Sequence, residues 1–311
     1  MERRPRTACD VSGSTGLGTL TRPIRTTTTS TDSLSTIDTG QAVVLGIVEG
    51  VTEFLPVSST GHLKITEGLM GIPVDDQPVI GFTAVIQVGA IAAVLVYFFG
   101  DILRFGTAWC HGIVRPEARQ RRDYKFAWWV IAATVPIVAA GLAFKPLIEG
   151  PLASLWVVAG SLIVGSALMW GAERVGRGKR GEDNLTFTDA MIVGTSQILA
   201  LVFPGFSRSG ATISTALIRD LDRVAATRLS FFLSIPALTG AGIYELKDAV
   251  GGRIDVVPVA VGTVVSFVVA YASIAWLLRY VAKHSFAVFV GYRIVIGVAL
   301  FGLLGAGVLA A

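Results

Sequence analysis

The chain reads as an all-α integral membrane protein, with six transmembrane helices plus two re-entrant helical hairpins in an inverted-topology repeat. Three observations predict this. Of 311 residues, 52% are hydrophobic and only 15% charged, with mean hydropathy +0.66, whereas a soluble domain carries about 25% charged residues. The apolar runs have the length of spanning helices, not of barrel strands. Two polar, proline-broken stretches, Gly46–Leu63 and Gln197–Thr212, interrupt these runs with their prolines, Pro56 and Pro204, 148 residues apart.

Residues 1–39 are rich in Ser, Thr and Arg and lack any apolar periodicity, the composition of a disordered tail and not of a cleavable signal peptide. Residues 40–311 then form one membrane domain, with repeat halves of about 40–172 and 188–311. Gln41–Leu55 is apolar but shorter than the roughly twenty residues a span needs. It is followed by a second short helix, Ser58–Met70, and the pair predicts a hairpin that dips into the membrane and returns. Non-helical backbone at that depth is tolerated only where protein or a water-filled cavity covers it. Val79–Phe99 predicts a span, Asp101–Lys125 a basic loop, Phe126–Phe144 and Leu152–Trp170 two further spans, and Glu173–Thr188 a polar loop. The pattern then restarts. Asp189–Phe203 and Ser207–Ile218 form the second broken pair, followed by spans at Leu229–Leu246, Val256–Leu278 and Phe286–Leu309. Three spans per half is an odd number, so the second half lies inverted relative to the first, as in many transporters.

Charge supports this arrangement. Loops 101–125, 173–188, 219–228 and 279–285 hold fifteen Lys and Arg, against three in loops 71–78, 145–151 and 247–255. The positive-inside rule makes the first set cytoplasmic. The net charge of +4 is accounted for in this way and gives no nucleic-acid signal. Cys9 and Cys110 imply no disulfide framework.

The polar stretches carry the candidate chemistry. Glu49 and Glu53 are four residues apart and share one helix face. Carboxylates cost about 2.5–3.5 kcal/mol at mid-membrane even on insertion scales, so two of them beside a chain break indicate a site. They could hold a divalent cation, act as general base, or couple a proton in transport; their spacing does not separate these. Ser58, Ser59 and Thr60 offer hydroxyls at a helix start, where one of them caps the helix. His62 lies three residues after Ser59 and could activate a serine, attack phosphorus or protonate a leaving group. In the second stretch Arg208 sits at a helix start among Ser207, Ser209 and Thr212, with Gln197 placed relative to Pro204 as Glu49 is to Pro56. A helix N-terminus with an Arg fork is suited to phosphate.

The sequences EGVTEFLPVSSTGH and PGFSRSGAT resemble the two signature motifs of the undecaprenyl-diphosphatase family of the bacitracin-resistance type. FTAVIQVGAIAAVLVYF and LSFFLSIPA add further echoes, so the resemblance covers roughly residues 40–310. It implies hydrolysis of undecaprenyl diphosphate to the monophosphate carrier lipid of cell-wall synthesis, at the outer face of a bacterial cell membrane, with a divalent cation such as Mg²⁺ or Ca²⁺ on Glu49 and Glu53. It also implies that bacitracin competes for the lipid substrate, that membrane lipids surround the chain, and it allows a homodimer. By motif, Glu49 and Glu53 are the acidic pair, Ser59 and His62 the catalytic hydroxyl and imidazole, and Arg208 the phosphate clamp. Ser58, Thr60, Ser207, Ser209, Thr212 and Gln197 support the substrate. The attacking group stays open between Ser59, His62 and a metal-bound water. The competing reading is a transporter or lipid-phosphate flippase, since fold alone does not fix function.

Overall fold

A computed structural model describes residues 37–74, 76–148, 151–249 and 256–309. The tail expected over 1–39 lies outside the described residues as far as residue 36, as do residues 149–150 and 250–255 of the two short loops. Among the described residues there are eleven α-helices and no strand, only an isolated bridge between Arg180 and Leu221.

The first helix, α1 (Thr39–Thr52), starts two residues earlier than expected because Asp38 caps it, accepting from the Gln41 backbone while Gln41 reciprocates. It breaks at Glu53–Ser58, and α2 (Ser59–Leu69) follows. Then come α3 (Gln77–Tyr97), α4 (Phe99–Val114), α5 (Arg122–Ile148) and α6 (Leu155–Val175). The short α7 (Phe187–Val202) and α8 (Arg208–Ile218) are separated by a second break, and α9 (Arg223–Ala249), α10 (Val256–Val281) and α11 (Ala287–Gly305) complete the chain. Six helices, α3, α5, α6, α9, α10 and α11, are long and apolar enough to cross a membrane. They correspond to the six expected spans, and the chain is a multi-pass helical membrane protein.

The basic loop expected over 101–125 is corrected by α4. Charge density in that segment masked a helical period: Ile102, Phe105 and Trp109 fall three and four residues apart and share one face. That face packs on neighbouring helices, with the Phe105 ring 4.7 Å from Phe126 and 5.4 Å from Phe232, and Trp109 5.8 Å from Trp128. His111, expected in a loop, lies in the last turn of α4.

Within the bundle α1 runs along α10, and α7 along α5. Small residues set the first contact. A Cβ on Gly46 would lie 2.6 Å from the Gly262 carbonyl, and one on Gly50 would lie 2.8 Å from the Ser266 carbonyl. Without hydrophobic drive inside lipid, such close backbone approach supplies the dispersion contact that holds helices together. On the other side, a Cβ on Gly194 of α7 would meet the Ala133 carbonyl of α5 at 2.4 Å. The largest core cluster lies between the two broken pairs and α9, around Phe54, Leu55, Ile213, Phe231 and Leu233.

Candidate active site

Each broken pair ends its first helix in a tight turn and starts its second with a serine in an unusual conformation. Ser58 has φ 78° and Ser207 φ 72°, a region non-glycine residues seldom occupy. Each serine is the N-cap of the following helix, its Oγ accepting from the backbone N–H three residues on, Gly61 at 3.4 Å and Gly210 at 3.0 Å. Strain of this kind persists only where the surroundings over-determine it, and it clusters at functional sites. From its proline to its capping serine the second turn runs one residue longer than the first, Pro204–Ser207 against Pro56–Ser58. Its extra length is taken up at Gly205, φ 96°, where a Cβ would stand 2.5 Å from the Val158 carbonyl.

The caps place Ser59 and Arg208 at the first position of α2 and α8, and both side chains reach one carboxylate. Glu53, the C-cap of α1 and 7% exposed, accepts from Ser59 Oγ at 2.5 Å through Oε2 and from the Arg208 guanidinium through Oε1. Two helix N-termini therefore converge on a single buried anion, which is where their partial positive charge favours it. Glu49, one turn earlier on α1, is also buried.

The remaining expected site residues divide. Ser209 Oγ donates to the Leu55 carbonyl at 2.9 Å and lies 3.1 Å from Ser207 Oγ, so it stitches the second turn to the first. Thr212 turns away to Ser230 of α9 at 2.7 Å. Gln197 is fully buried, its amide donating to the Gly194 carbonyl of its own helix at 3.2 Å. Thr60 is exposed. His62 does not make the expected pair with Ser59. Its Nδ1 lies 2.7 Å from the Ser58 carbonyl and its Nε2 2.7 Å from the Tyr292 hydroxyl.

Two residues of α11 complete the neighbourhood and were not singled out in the sequence. Tyr292 meets His62. Arg293, with no exposed surface, donates to the carbonyl of Pro56 at 3.0 Å, and to those of Gly205 at 3.3 Å, Phe206 at 2.8 Å and Ser161 at 3.4 Å. One guanidinium thus grips both turns and satisfies carbonyls that the helix breaks leave without intrahelical partners. The signal available was a lone arginine inside the apolar run Phe286–Leu309, since an ionisable residue at membrane depth marks function or structure by default.

Among the described residues no group of three or more His, Cys, Asp or Glu is placed to hold a metal. The carboxylate donors at the site are Glu49 and Glu53, the latter also holding Ser59 and Arg208. These suit a hard cation that takes one or two carboxylates and completes its shell from phosphate oxygens and water.

Fold and site define a multi-pass helical membrane protein in which a serine, a carboxylate and an arginine meet between two broken helix pairs. The description "Bacitracin resistance protein BacA" matches residues 42–299, and the chain belongs to that family. It is 75% identical over 276 residues to undecaprenyl-diphosphatase 1 of Streptomyces avermitilis, covering 89% of this chain and 100% of that protein. It is 73% identical over 274 residues to undecaprenyl-diphosphatase 1 of Frankia alni, covering 88% of this chain and 99% of that protein. It is 48% identical over 279 residues to the undecaprenyl-diphosphatase of Cutibacterium acnes, covering 87% and 98%.

Proposed function

We propose that the protein hydrolyses undecaprenyl diphosphate to undecaprenyl phosphate and inorganic phosphate, returning the carrier lipid to cell-wall synthesis and so conferring bacitracin resistance. The observation that carries this reading is the convergence of Ser59 and Arg208 on the Glu53 carboxylate, in a chain of this family. Ser59 Oγ attacks the terminal phosphorus while its proton passes to Glu53. The Oγ–P bond forms, the bond from that phosphorus to the bridging oxygen breaks, and undecaprenyl phosphate leaves with the electron pair. Water then attacks the phosphoserine, the Oγ–P bond breaks as Ser59 recovers its proton from Glu53, and inorganic phosphate departs carrying both hydrogens of that water. Arg208 and the N–H groups of α2 and α8 hold the phosphoryl oxygens, where charge accumulates in a loose transition state. A divalent cation, Mg²⁺ or Ca²⁺, would be held by Glu49 and Glu53 and would supply further neutralisation of that charge. His62, engaged with Ser58 and Tyr292, supports the turn. Ser59 therefore takes Glu53 as its base. A flippase needs a phosphate clamp but gives the Ser59–Glu53 pair no role.

The finer architecture belongs to the same reading. We take α1/α2 and α7/α8 as re-entrant hairpins and the two halves as an inverted repeat. The matched left-handed serine caps support this, as does the exchange of partners in which α1 of the first half lies on α10 of the second and α7 of the second lies on α5 of the first. The excess of Lys and Arg on one set of loops supports reading those loops as cytoplasmic, in a bacterial cell membrane. The site then opens to the outer face, where bacitracin competes for the same lipid.

Phosphate release from undecaprenyl diphosphate by purified protein in detergent tests the reading, with and without a chelator and beside Glu53→Gln and Arg208→Ala. Release by wild type that needs the cation and is lost in both variants is the expected result. A folded wild type that releases none would sink the hydrolase and leave transport.

A further inference from the structure

We propose that Tyr292 is a positioning residue for the reaction, acting on Ser59 through His62; this rests on the diphosphatase reading above. The chain of contacts runs from α11 into the first turn. The Tyr292 hydroxyl lies 2.7 Å from His62 Nε2, and His62 Nδ1 lies 2.7 Å from the Ser58 carbonyl. A carbonyl only accepts, so Nδ1 carries the proton. In the neutral ring Nε2 is then an acceptor, and Tyr292 donates to it. The two rings are also nearly parallel, 10° apart with centroids at 5.5 Å, so the Ser58 carbonyl fixes the tautomer and tyrosine the plane of the imidazole.

The fixed imidazole holds the Ser58 carbonyl, and Ser58 is the residue at φ 78° whose conformation aims Ser59 at Glu53. The next residue of α11, Arg293, holds the Pro56 carbonyl of the same turn. Consecutive residues of one spanning helix thus secure the turn on either side of Val57. The second turn has no such arrangement, because the residue at the place of His62 is Ala211 and the first position is Arg208 instead of a nucleophile. The imidazole–phenol pair therefore belongs to the half that carries the attacking hydroxyl. Tyr292 is 42% exposed, so its position reflects more than filling a core.

The test is Tyr292→Phe, which keeps the ring and removes the hydroxyl. In phosphate release from undecaprenyl diphosphate, kcat falls roughly tenfold with KM within about twofold, since the nucleophile and not substrate binding is disturbed. Combined with His62→Ala, Tyr292→Phe has no further effect, as expected of two residues in one chain of action. Val295→Ala, on the exposed side of the same helix, matches wild type. ¹⁵N NMR of the histidine side chains gives a readout independent of turnover. Wild-type His62 is the Nδ1–H tautomer with Nε2 hydrogen-bonded, and Tyr292→Phe shifts the Nε2 resonance as that bond is lost. An unchanged kcat in Tyr292→Phe, additive losses in the double variant, or an Nε2–H tautomer in wild type would each overturn the proposal while leaving an active wild type as support for the diphosphatase. A wild type that releases no phosphate would instead overturn the diphosphatase itself.

Discussion

At the scale of single residues the site is a shared carboxylate. Glu53 serves Ser59 with one oxygen and Arg208 with the other, so its loss has two consequences. Glu53→Gln removes the proposed base and discharges the partner of Arg208. We expect kcat to fall by about 10²–10⁴, the range of a general base, with the protein still folded by size-exclusion and thermal melting. Arg293 acts differently, because its acceptors are backbone carbonyls of the two turns. Arg293→Met leaves those of Pro56, Gly205 and Phe206 buried without their donor, at about 1–3 kcal/mol for each unsatisfied group. The expected result is a large drop in melting temperature in detergent, measured alongside activity. Glu49, Glu53, Ser59 and Arg208 were legible because polar residues in apolar surroundings are conspicuous. Spacing alone did not tell which hydroxyl caps α2, although the motif resemblance pointed to Ser59 as the catalytic one. That choice depends on the left-handed backbone of Ser58, which sequence spacing does not encode. The partner of His62 lay 230 residues away on another helix, and no local pattern points to it.

At the scale of helices the decisive contact is the crossing of α1 and α10. A side chain at Gly50 would meet Val269 Cβ at 2.7 Å, the Ser266 carbonyl at 2.8 Å and the Ala270 nitrogen at 2.9 Å. Backbone cannot yield as a flexible side chain can, so Gly50→Val costs about 1–3 kcal/mol or more and also shifts Glu53, one turn on. Gly100, with nothing within 4 Å of its Cβ position, tolerates Ala. Thermal stability of the two variants in detergent provides the comparison. The six spans were readable from apolar length alone, since hydrocarbon thickness sets that length. The helix α4 was not, because its period is diluted by Arg104, His111 and Asp101 and its packing face is only three residues wide.

At the scale of the molecule the Lys- and Arg-rich side is knitted by ion pairs. Arg228 joins Asp101 at 2.9 Å and Glu182 at 2.6 Å, and Arg223 pairs with Glu173 at 2.7 Å. Asp189, at the foot of α7 and outside the six spans, accepts from Arg180 at 2.5 Å and Arg219 at 2.9 Å and is fully buried. Burial pushes its carboxyl up, but hydrogen bonds from Arg180, Thr186 and Arg219 outweigh that and bring it down to about 2, from 3.8. A depressed carboxylate contributes stability that is complete above the unfolded value and lost as pH falls through the folded one. The contribution, about 2 kcal/mol, is therefore present above roughly pH 4 and disappears toward pH 2. Asp189→Asn should be less stable than wild type at pH 6 and converge on it near pH 2, read by thermal melting across that range. The sequence predicted which loops share this side from charge counts. Which charges pair could not be predicted, since the partners of Arg228 lie 127 and 46 residues away.

The grip of Arg293 on both turns also orders how the protein is made. A ribosome delivers α1 and α2 first and α11 last, so the carbonyls of Pro56, Gly205 and Phe206 wait through the insertion of every earlier span before their donor arrives. Until then both helix breaks keep backbone carbonyls without that donor, a condition hydrocarbon penalises heavily. The two turns are thus completed only when α11, the last of the described helices to be synthesised, docks against them.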